Sequence, residues 1–319
     1  MPSAATQKPS DGAFVRQDST FREWVRADGS GDLPAEHGRY HLYVAKACPW
    51  ASRTLIVRRL KGLERTISVS YAHPFRDERG WAFPGGPFHD DVNDFAFLAE
   101  AYERSRPGYG ARVSVPVLWD KHERRIVNNE SADIVRMLNA EFDEWGDDSV
   151  DLYPADLRAE IDALNERIYA TVNNGVYAAG FATTQEAYHR AYVDLFATLD
   201  ALEARLGERR YLAGDRITEA DWRLFVTLVR FDAVYYSHFK CNMRRIVDYE
   251  HLWGFTRELY QWPGVAETVD MAQIKAHYYG THPSLIPTRI IPDGPALDFD
   301  VSHARNAMIA GVAPIEAEQ

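Results

Sequence analysis

The sequence predicts a chain of two unlike parts, an α/β half followed by an all-α half, and three observations carry that reading. From Tyr40 to about Asn139 short apolar runs alternate with helical periods: residues 41–45, the alternating Ile67, Val69 and Tyr71, residues 115–119 and residues 125–127 read as strands. Beyond an acidic linker at 146–149 the pattern is helical as far as about Met271. Between the first strand and the first helix stands only a small polar turn, Lys46 and Ala47, and the helix opens on Cys48-Pro49. The expected parts are an N-terminal extension (1–38), an α/β domain (39–145), a helical domain (150–278) and a C-terminal extension (279–319).

Residues 1–38 are polar and broken by Gly29, Gly31, Pro34 and Gly38, with one short amphipathic piece at Phe21, Trp24 and Val25. They are expected to wrap the α/β domain. The helix after the first strand gathers Ala51, Leu55, Ile56 and Leu60 on one side. Pro49 suits its first position, where a missing N–H is no loss, so Cys48 falls at the N-cap. Gly62 closes it after Arg58, Arg59 and Lys61, cations at the end where the helix dipole favours them. Residues 73–110, punctuated by Gly80, Pro84, Gly85, Gly86, Pro87, Pro107 and Gly108, exceed an ordinary connection, and a helix over about 93–104 is expected to interrupt them. In V-S-V-P-V-L-W, Pro116 has no N–H for a ladder, so it marks a strand start or a special bend, with either peptide isomer open. Asn128-Asn129-Glu130-Ser131 then precedes a helical run over 132–138. Ser131 is its expected N-cap, and a helix start attracts anions, although capping alone would also account for Glu130 and Ser131. In the helical half, Tyr188, Tyr192, Leu195, Leu199, Leu202 and Leu206 form one stripe. Thr183 with Glu186, and Thr218 with Asp221, read as capping boxes, which makes Asp221 structural. Leu252, Phe255 and Leu259 mark another helix, and the tail from Gly280 is irregular and expected to pack back.

The 319 residues, 46% hydrophobic and 26% charged, are those of a globular protein with a real core. A net charge of −11 argues against nucleic acid as partner, which calls for a basic surface. No stretch approaches a membrane span, and the opening M-P-S-A-A-T-Q-K-P-S lacks the apolar core of a signal peptide. Cys48 and Cys241 lie far apart, so the expected setting is a reducing cytoplasm rather than a disulfide framework. The His and Cys residues lack metal-ligand spacing and no G-x-G-x-x-G follows a strand, so neither metal nor nicotinamide is expected. The 17 Tyr and 8 Trp supply material for a pocket that holds a flat ring.

A free cysteine is ordinarily a small buried hydrophobe. Cys48 stands elsewhere: a thiol at this N-cap faces unpaired backbone N–H groups and the positive end of the dipole, with Lys46 and Arg53 nearby. These favour the thiolate, and the thiolate is the nucleophile. Position 51 is alanine, so no neighbouring cysteine can resolve a mixed disulfide formed at Cys48. An outside thiol must do so, and glutathione is the expected one.

Cys-Pro at a helix start, Val-Pro before a strand, Glu-Ser after the fourth strand and Y-L-A-G-D-x-x-T-x-A-D in the helical half resemble the cytosolic glutathione transferases. The match narrows with A-C-P-W-A-S-R at 47–53, W-A-F at 81–83, N-N-E-S at 128–131, T-V-N-N-G-V-Y-A-A-G-F-A at 171–182, H-F-K-C-N at 238–242, Y-Q-W-P-G-V-A-E-T-V at 260–269 and I-K-x-H-Y-Y at 274–279. Together these resemble the glutathionyl-hydroquinone reductases, the Xi class, over nearly the whole chain, the final dozen residues excepted. The resemblance implies a thioredoxin-like N-terminal domain, a C-terminal helical glutathione-transferase domain, glutathione as co-substrate and a homodimer. It implies reduction of glutathionyl-hydroquinones through a mixed disulfide on Cys48. It also implies that Trp81, the backbone of Val115 beside a cis Pro116, and the pair Glu130 and Ser131 hold glutathione, the pair at its γ-glutamyl end. Arg112 and Lys46 are then candidates for the glycyl carboxylate. Tyr177 and one of Tyr278 or Tyr279 would line the hydroquinone pocket, with Tyr177 or Tyr279 supplying a proton. Two alternatives stand beside it: an omega-like thioltransferase or dehydroascorbate reductase, which would not need the aromatic C-terminal block, and a ligand carrier indifferent to Cys48.

Overall fold

The computed structural model describes residues 11–308. The outer parts of both expected extensions lie outside that range. The expected strands form one sheet: β1 (Tyr40–Val44), β2 (Ser68–Tyr71), β3 (Val117–Asp120) and β4 (Arg125–Asn128), in the order β2-β1-β3-β4. β1 runs parallel to β2 and antiparallel to β3, which pairs antiparallel with β4. β3 begins one residue past Pro116, whose ring nitrogen cannot join a ladder, and the Val115-Pro116 peptide is cis. At the turn between β3 and β4, buried Asp120 takes a forked hydrogen bond from Arg39, Nη2 to Oδ2 at 2.6 Å.

Contacts divide the chain into two compact units. One contains Val15–Asp151 and Glu267–Asp293; the other contains Leu152–Ala266, the segment ending at Phe14 and the segment from Gly294. The first unit holds the sheet, α1 (Pro49–Leu60), α2 (Leu98–Ser105) and α3 (Ser131–Ala140). α1 and α3 pack side by side. Lys61 ends α1 with its ammonium fully buried, donating to Asp143 Oδ1 at 2.6 Å and to the Val150 carbonyl at 3.0 Å, and Gly62 follows with φ +65°. α2 starts later than the sequence suggests. Asp90, 1% exposed, takes the N–H groups of Val92 and Phe95 and the hydroxyl of Tyr43, and so holds 90–95 as a turn fastened to β1.

From Val15 the N-terminal segment lies along this unit. Residues 21–23 lie antiparallel along the edge of β4, with Glu23 N–H donating to Val127 O and Asn129 N–H to Phe21 O. Val25 is fully buried, and Trp24 donates to Glu141 at 2.9 Å.

The second unit is helical: α4 (Arg158–Ile168), α5 (Gly175–Gly180), α6 (Gln185–Glu208), α7 (Glu219–Arg230) and α8 (Glu250–Tyr260). Leu195, Leu199, Leu202 and Leu206 are buried along α6 as the stripe requires, with Tyr188 and Tyr192 half-buried above them. The cap of α6 is Thr184 rather than Thr183: its Oγ1 accepts from Ala187 N, while the Thr183 hydroxyl turns to the Gly12 carbonyl. The Thr218–Asp221 box is present, with Asp221 also accepting from Leu212 N at 2.8 Å. Burial raises the Asp221 carboxyl to about 6 against these donors. The next helix, α9 (Met271–Thr281), groups with the sheet-bearing unit, whereas the sequence boundaries ran the helical domain to 278. No helix among the described residues is long and apolar enough to cross a membrane.

One buried base makes the sheet sensitive to acid. His41, 1% exposed, faces Ser68 across β1 and β2 with Nδ1 2.7 Å from Ser68 Oγ. Burial, with lesser repulsion from Lys121 and Arg58, lowers its pKa to about 3. The unfolded chain takes a proton there near about pH 6.5. Between those values the unfolded state binds more protons, so the stabilisation is complete above about pH 6.5 and is lost as pH falls toward about 3. The loss between pH 7 and pH 5 is about 2 kcal/mol. Urea midpoints of His41→Leu should therefore depend less on pH across that interval than those of the natural chain; equal slopes would show that the acid sensitivity lies elsewhere.

Candidate active site

Cys48 is the N-cap of α1, in extended backbone (φ −83°, ψ 121°), with Pro49 as the first helical residue. Its N–H donates to Ala45 O and its carbonyl accepts from Ser52 N, so the turn is closed on both sides. Its side chain makes no cap hydrogen bond; instead Sγ lies 3.6 Å from the carbonyl of Val115, the residue before cis Pro116. The structure thus brings together Cys48, Val115 and Pro116, which the sequence separates by nearly seventy residues. Cys48 is 9% exposed, whereas the other cysteine, Cys241, is fully buried. Lys46, just before it, donates to Glu267 O at 3.0 Å and lies over the Tyr71 ring, which ties the turn to the segment leading into α9.

Glu130 and Ser131 open α3, with roles shifted by one residue from expectation. Glu130 is the N-cap, its Oε1 accepting from Ala132 N at 3.1 Å, and Ser131 is the first helical residue, 3% exposed. The two asparagines before them are fully employed. Asn128 Oδ1 accepts from Glu130 N at 2.7 Å, and Asn129 Oδ1 accepts from Phe21 N at 3.1 Å while its Nδ2 donates to Tyr102 OH. Arg53, 2% exposed, reaches across from α1 with Nη1 3.5 Å from Ser131 Oγ and its guanidinium over the Trp50 ring, on which Arg16 also lies. A buried cation beside the N–H groups of a helix start gives this corner a positive potential of the kind that suits an anion. Arg112 is exposed; its N–H donates to Gln17 Oε1 at 3.1 Å.

Trp81 is 4% exposed and lies under the imidazole of His277 in α9, ring centroids 4.9 Å apart and nearly parallel. His277 Nδ1 is 2.8 Å from the Pro74 carbonyl. Phe75 rests on the helix at Gly280, where an added Cβ would meet its ring at 2.3 Å, so only glycine admits this approach. These contacts fasten α9 to the loop that carries Trp81. Tyr278 and Tyr279, in the same helix, are buried at 1% and 4% exposure. Tyr177 belongs to the helical unit, half-buried in α5, with its ring among Phe14, Phe181, Tyr235 and Phe239.

Two family models match the chain: the glutathione S-transferase N-terminal domain over residues 47–141 and the glutathione S-transferase C-terminal domain over 185–258. The chain is 51% identical over 308 residues to the glutathionyl-hydroquinone reductase YqjG of Escherichia coli K12, covering 94% of each. It is 53% identical to the glutathionyl-hydroquinone reductase PcpF of Sphingobium chlorophenolicum, over 91% of this chain and 92% of that one. The chain belongs to the Xi class of glutathione transferases, the glutathionyl-hydroquinone reductase family. The glutathione-bound structure of YqjG superimposes with a TM-score of 0.87 over 92% of this chain and 97% of that one. A Xi-class transferase from Natrialba magadii gives 0.90 at 52% identity, over 94% of this chain and 92% of that one.

Within this reductase-family chain the sequence reading missed two groups around the site and gave a third a different place. Asn128 and Asn129 gave a signal as paired turn formers beside a helix start. Arg53 was expected to add positive potential at Cys48; its guanidinium instead reaches Ser131 and the Trp50 ring, a placement that depends on the packing of α1 on α3. His277 lay in I-K-x-H-Y-Y with nothing to show that its ring meets Trp81, nearly two hundred residues earlier.

Proposed function

We propose that the chain reduces glutathionyl-hydroquinones to hydroquinones with glutathione as co-substrate. One observation carries the reading: a cysteine at a helix start, its sulfur beside the Val115 carbonyl, in a chain more than half identical to two glutathionyl-hydroquinone reductases. The Cys48 thiolate attacks the glutathione sulfur of the substrate, an S–S bond forms, the carbon–sulfur bond breaks, and the ring carbon keeps its electron pair and takes a proton. Hydroquinone leaves. A second glutathione thiolate attacks the mixed disulfide, releasing glutathione disulfide and restoring the Cys48 thiolate, so one glutathione is consumed for each aryl thioether reduced. Val115, Trp81, Glu130 and Ser131 are assigned to binding glutathione. The positive corner at α3 supports placing the γ-glutamyl carboxylate there, and Arg112 is left as the candidate for the glycyl carboxylate. Lys46 suits that role less, because its ammonium is already engaged by a backbone carbonyl.

Turnover of a glutathionyl-hydroquinone with excess glutathione tests the proposal. Free hydroquinone and glutathione disulfide should appear in equal amounts, and rapid quenching should trap one glutathione on Cys48. Reduction of dehydroascorbate or of mixed disulfides with no hydroquinone formed would favour the thioltransferase reading, and tight ligand binding without turnover the carrier. The proton donor is assigned to Tyr279 or Tyr177, and Tyr278 to the ring pocket. Phenylalanine at the donor should lower hydroquinone formation about 10²-fold while leaving glutathione exchange on Cys48 unchanged, since only the first half-reaction needs a proton at carbon. Equal loss in both half-reactions would assign that tyrosine to packing. The resemblance also carries a homodimer, to be checked by light scattering, and the acidic composition with two separated cysteines supports a cytoplasmic setting.

A further inference from the structure

The N-terminal segment does more than cover the sheet edge. Ser19 Oγ lies 2.9 Å from Glu130 Oε2, and two residues earlier Gln17 accepts the Arg112 N–H at 3.1 Å. Two residues assigned to glutathione are thus each touched by a strap more than ninety positions away in sequence. We propose that Ser19 is a positioning residue for glutathione, fixing the Glu130 carboxylate that receives the γ-glutamyl ammonium. The proposal rests on the assignment of Glu130 made above.

The need for such a residue follows from the cap. Aspartate, asparagine, serine and threonine are the usual N-caps because their short side chains reach the helix N–H groups with little freedom. Glutamate has one more rotatable bond. Its Oε1 is held by Ala132 N at 3.1 Å, but that contact alone leaves Oε2 free to swing about it. The Ser19 hydroxyl supplies the second point of attachment. Its single proton could also go to Asn129 O at 3.2 Å, but the carboxylate is nearer and charged, and hydrogen bonds to ionised acceptors are the stronger ones. Each carboxylate oxygen retains a lone pair for an incoming ammonium. The strap is itself held by backbone bonds to β4 and by Asn128 Nδ2 on Glu23 O at 3.1 Å. Ser19 is therefore presented from a fixed backbone and orders Glu130 before glutathione arrives, which reduces the entropy cost of binding.

The test is glutathione affinity by calorimetry, with kinetics, on the full chain. Ser19→Ala should weaken glutathione roughly tenfold and raise its KM to match, with kcat at saturating glutathione within about twofold of the natural enzyme. Ser19→Thr keeps the hydroxyl and should restore most of the affinity. In a Glu130→Gln background, Ser19→Ala should add little, because the two residues act as one unit. Full affinity in Ser19→Ala alongside weak binding in Glu130→Gln would overturn the inference and leave the glutathione assignment standing. Full affinity in Glu130→Gln would overturn both. A Ser19→Ala loss of the same size in either background would also overturn it, since Ser19 would then act by a route other than Glu130.

Discussion

Cys48→Ser should abolish hydroquinone formation, lowering turnover by on the order of 10³-fold or more, the scale on which removal of a covalent nucleophile acts. Two effects combine. A serine hydroxyl in the same place is scarcely ionised at neutral pH, and an oxygen cannot form the disulfide that stores glutathione between the half-reactions. The variant should still bind glutathione, because the groups assigned to hold it come from Trp81, Val115, Glu130 and Ser131. The other cysteine provides the control. Cys241 is fully buried, and burial pushes its thiol well above the ordinary range, so it has neither access nor thiolate character. Alkylation of the folded protein should modify Cys48 alone, and Cys241→Ala should turn over normally. Residual turnover in Cys48→Ser that disappears in the double variant would transfer the role to Cys241 and undo the mechanism.

What the sequence revealed, and what it concealed, divide by range. β1 and β4 fall within a residue of their apolar runs, and α1 begins at Pro49 as its cap chemistry requires, because periodicity and caps are local. Errors of one residue arose where two adjacent residues could serve. Thr183 and Thr184 can both cap α6, and the choice fell to Thr184 once the Gly12 carbonyl took the other hydroxyl. Glu130 displaced Ser131 because Asn128 and Ser19 hold the cap one position earlier. Contacts between distant segments left no local trace. Nothing in the sequence around Pro74 shows that its carbonyl meets His277, so α9 was placed with the helices it follows rather than with the loop it covers. The strap was foreseen from composition as a wrapping, but its hydrogen bonds to Glu130 and Arg112 required the fold.

Glu258→Gln is expected to be the most destabilising change outside the active site, costing roughly 3–5 kcal/mol. Glu258, 4% exposed in α8, accepts from Arg210 Nε at 2.7 Å and Tyr211 OH at 2.9 Å on one oxygen and from Arg305 Nε at 3.1 Å on the other. It is the shared anion between two largely buried guanidiniums. Neutralising it leaves two cations facing one another, Arg305 almost wholly buried and Arg210 largely so, and this lack of compensation costs more than the lost hydrogen bonds. In a unit of this size the melting temperature should fall by about 10 °C. Arg305→Ala is the gentler variant. Arg210 would still serve Glu258, and the loss would be the donors that Arg305 sends to the carbonyls of Leu206, Arg209 and Arg210 at the end of α6. Arg305→Lys should recover little, because an ammonium cannot span a carboxylate and those carbonyls with one planar fork. The tail between Gly294 and Arg305 is held at its end by this cation and by its passage over Gly254, where an added Cβ would meet the His303 carbonyl at 3.1 Å, and further back by Gln261, which donates to the carbonyls of Phe299 and Val301, and by the Phe299 ring stacked on Tyr260. Proteolysis of Arg305→Ala should therefore begin near the end of that tail before the helices open; cleavage there at the natural rate, with the melting temperature unmoved, would show that the Gln261 and Phe299 contacts hold the tail without Arg305.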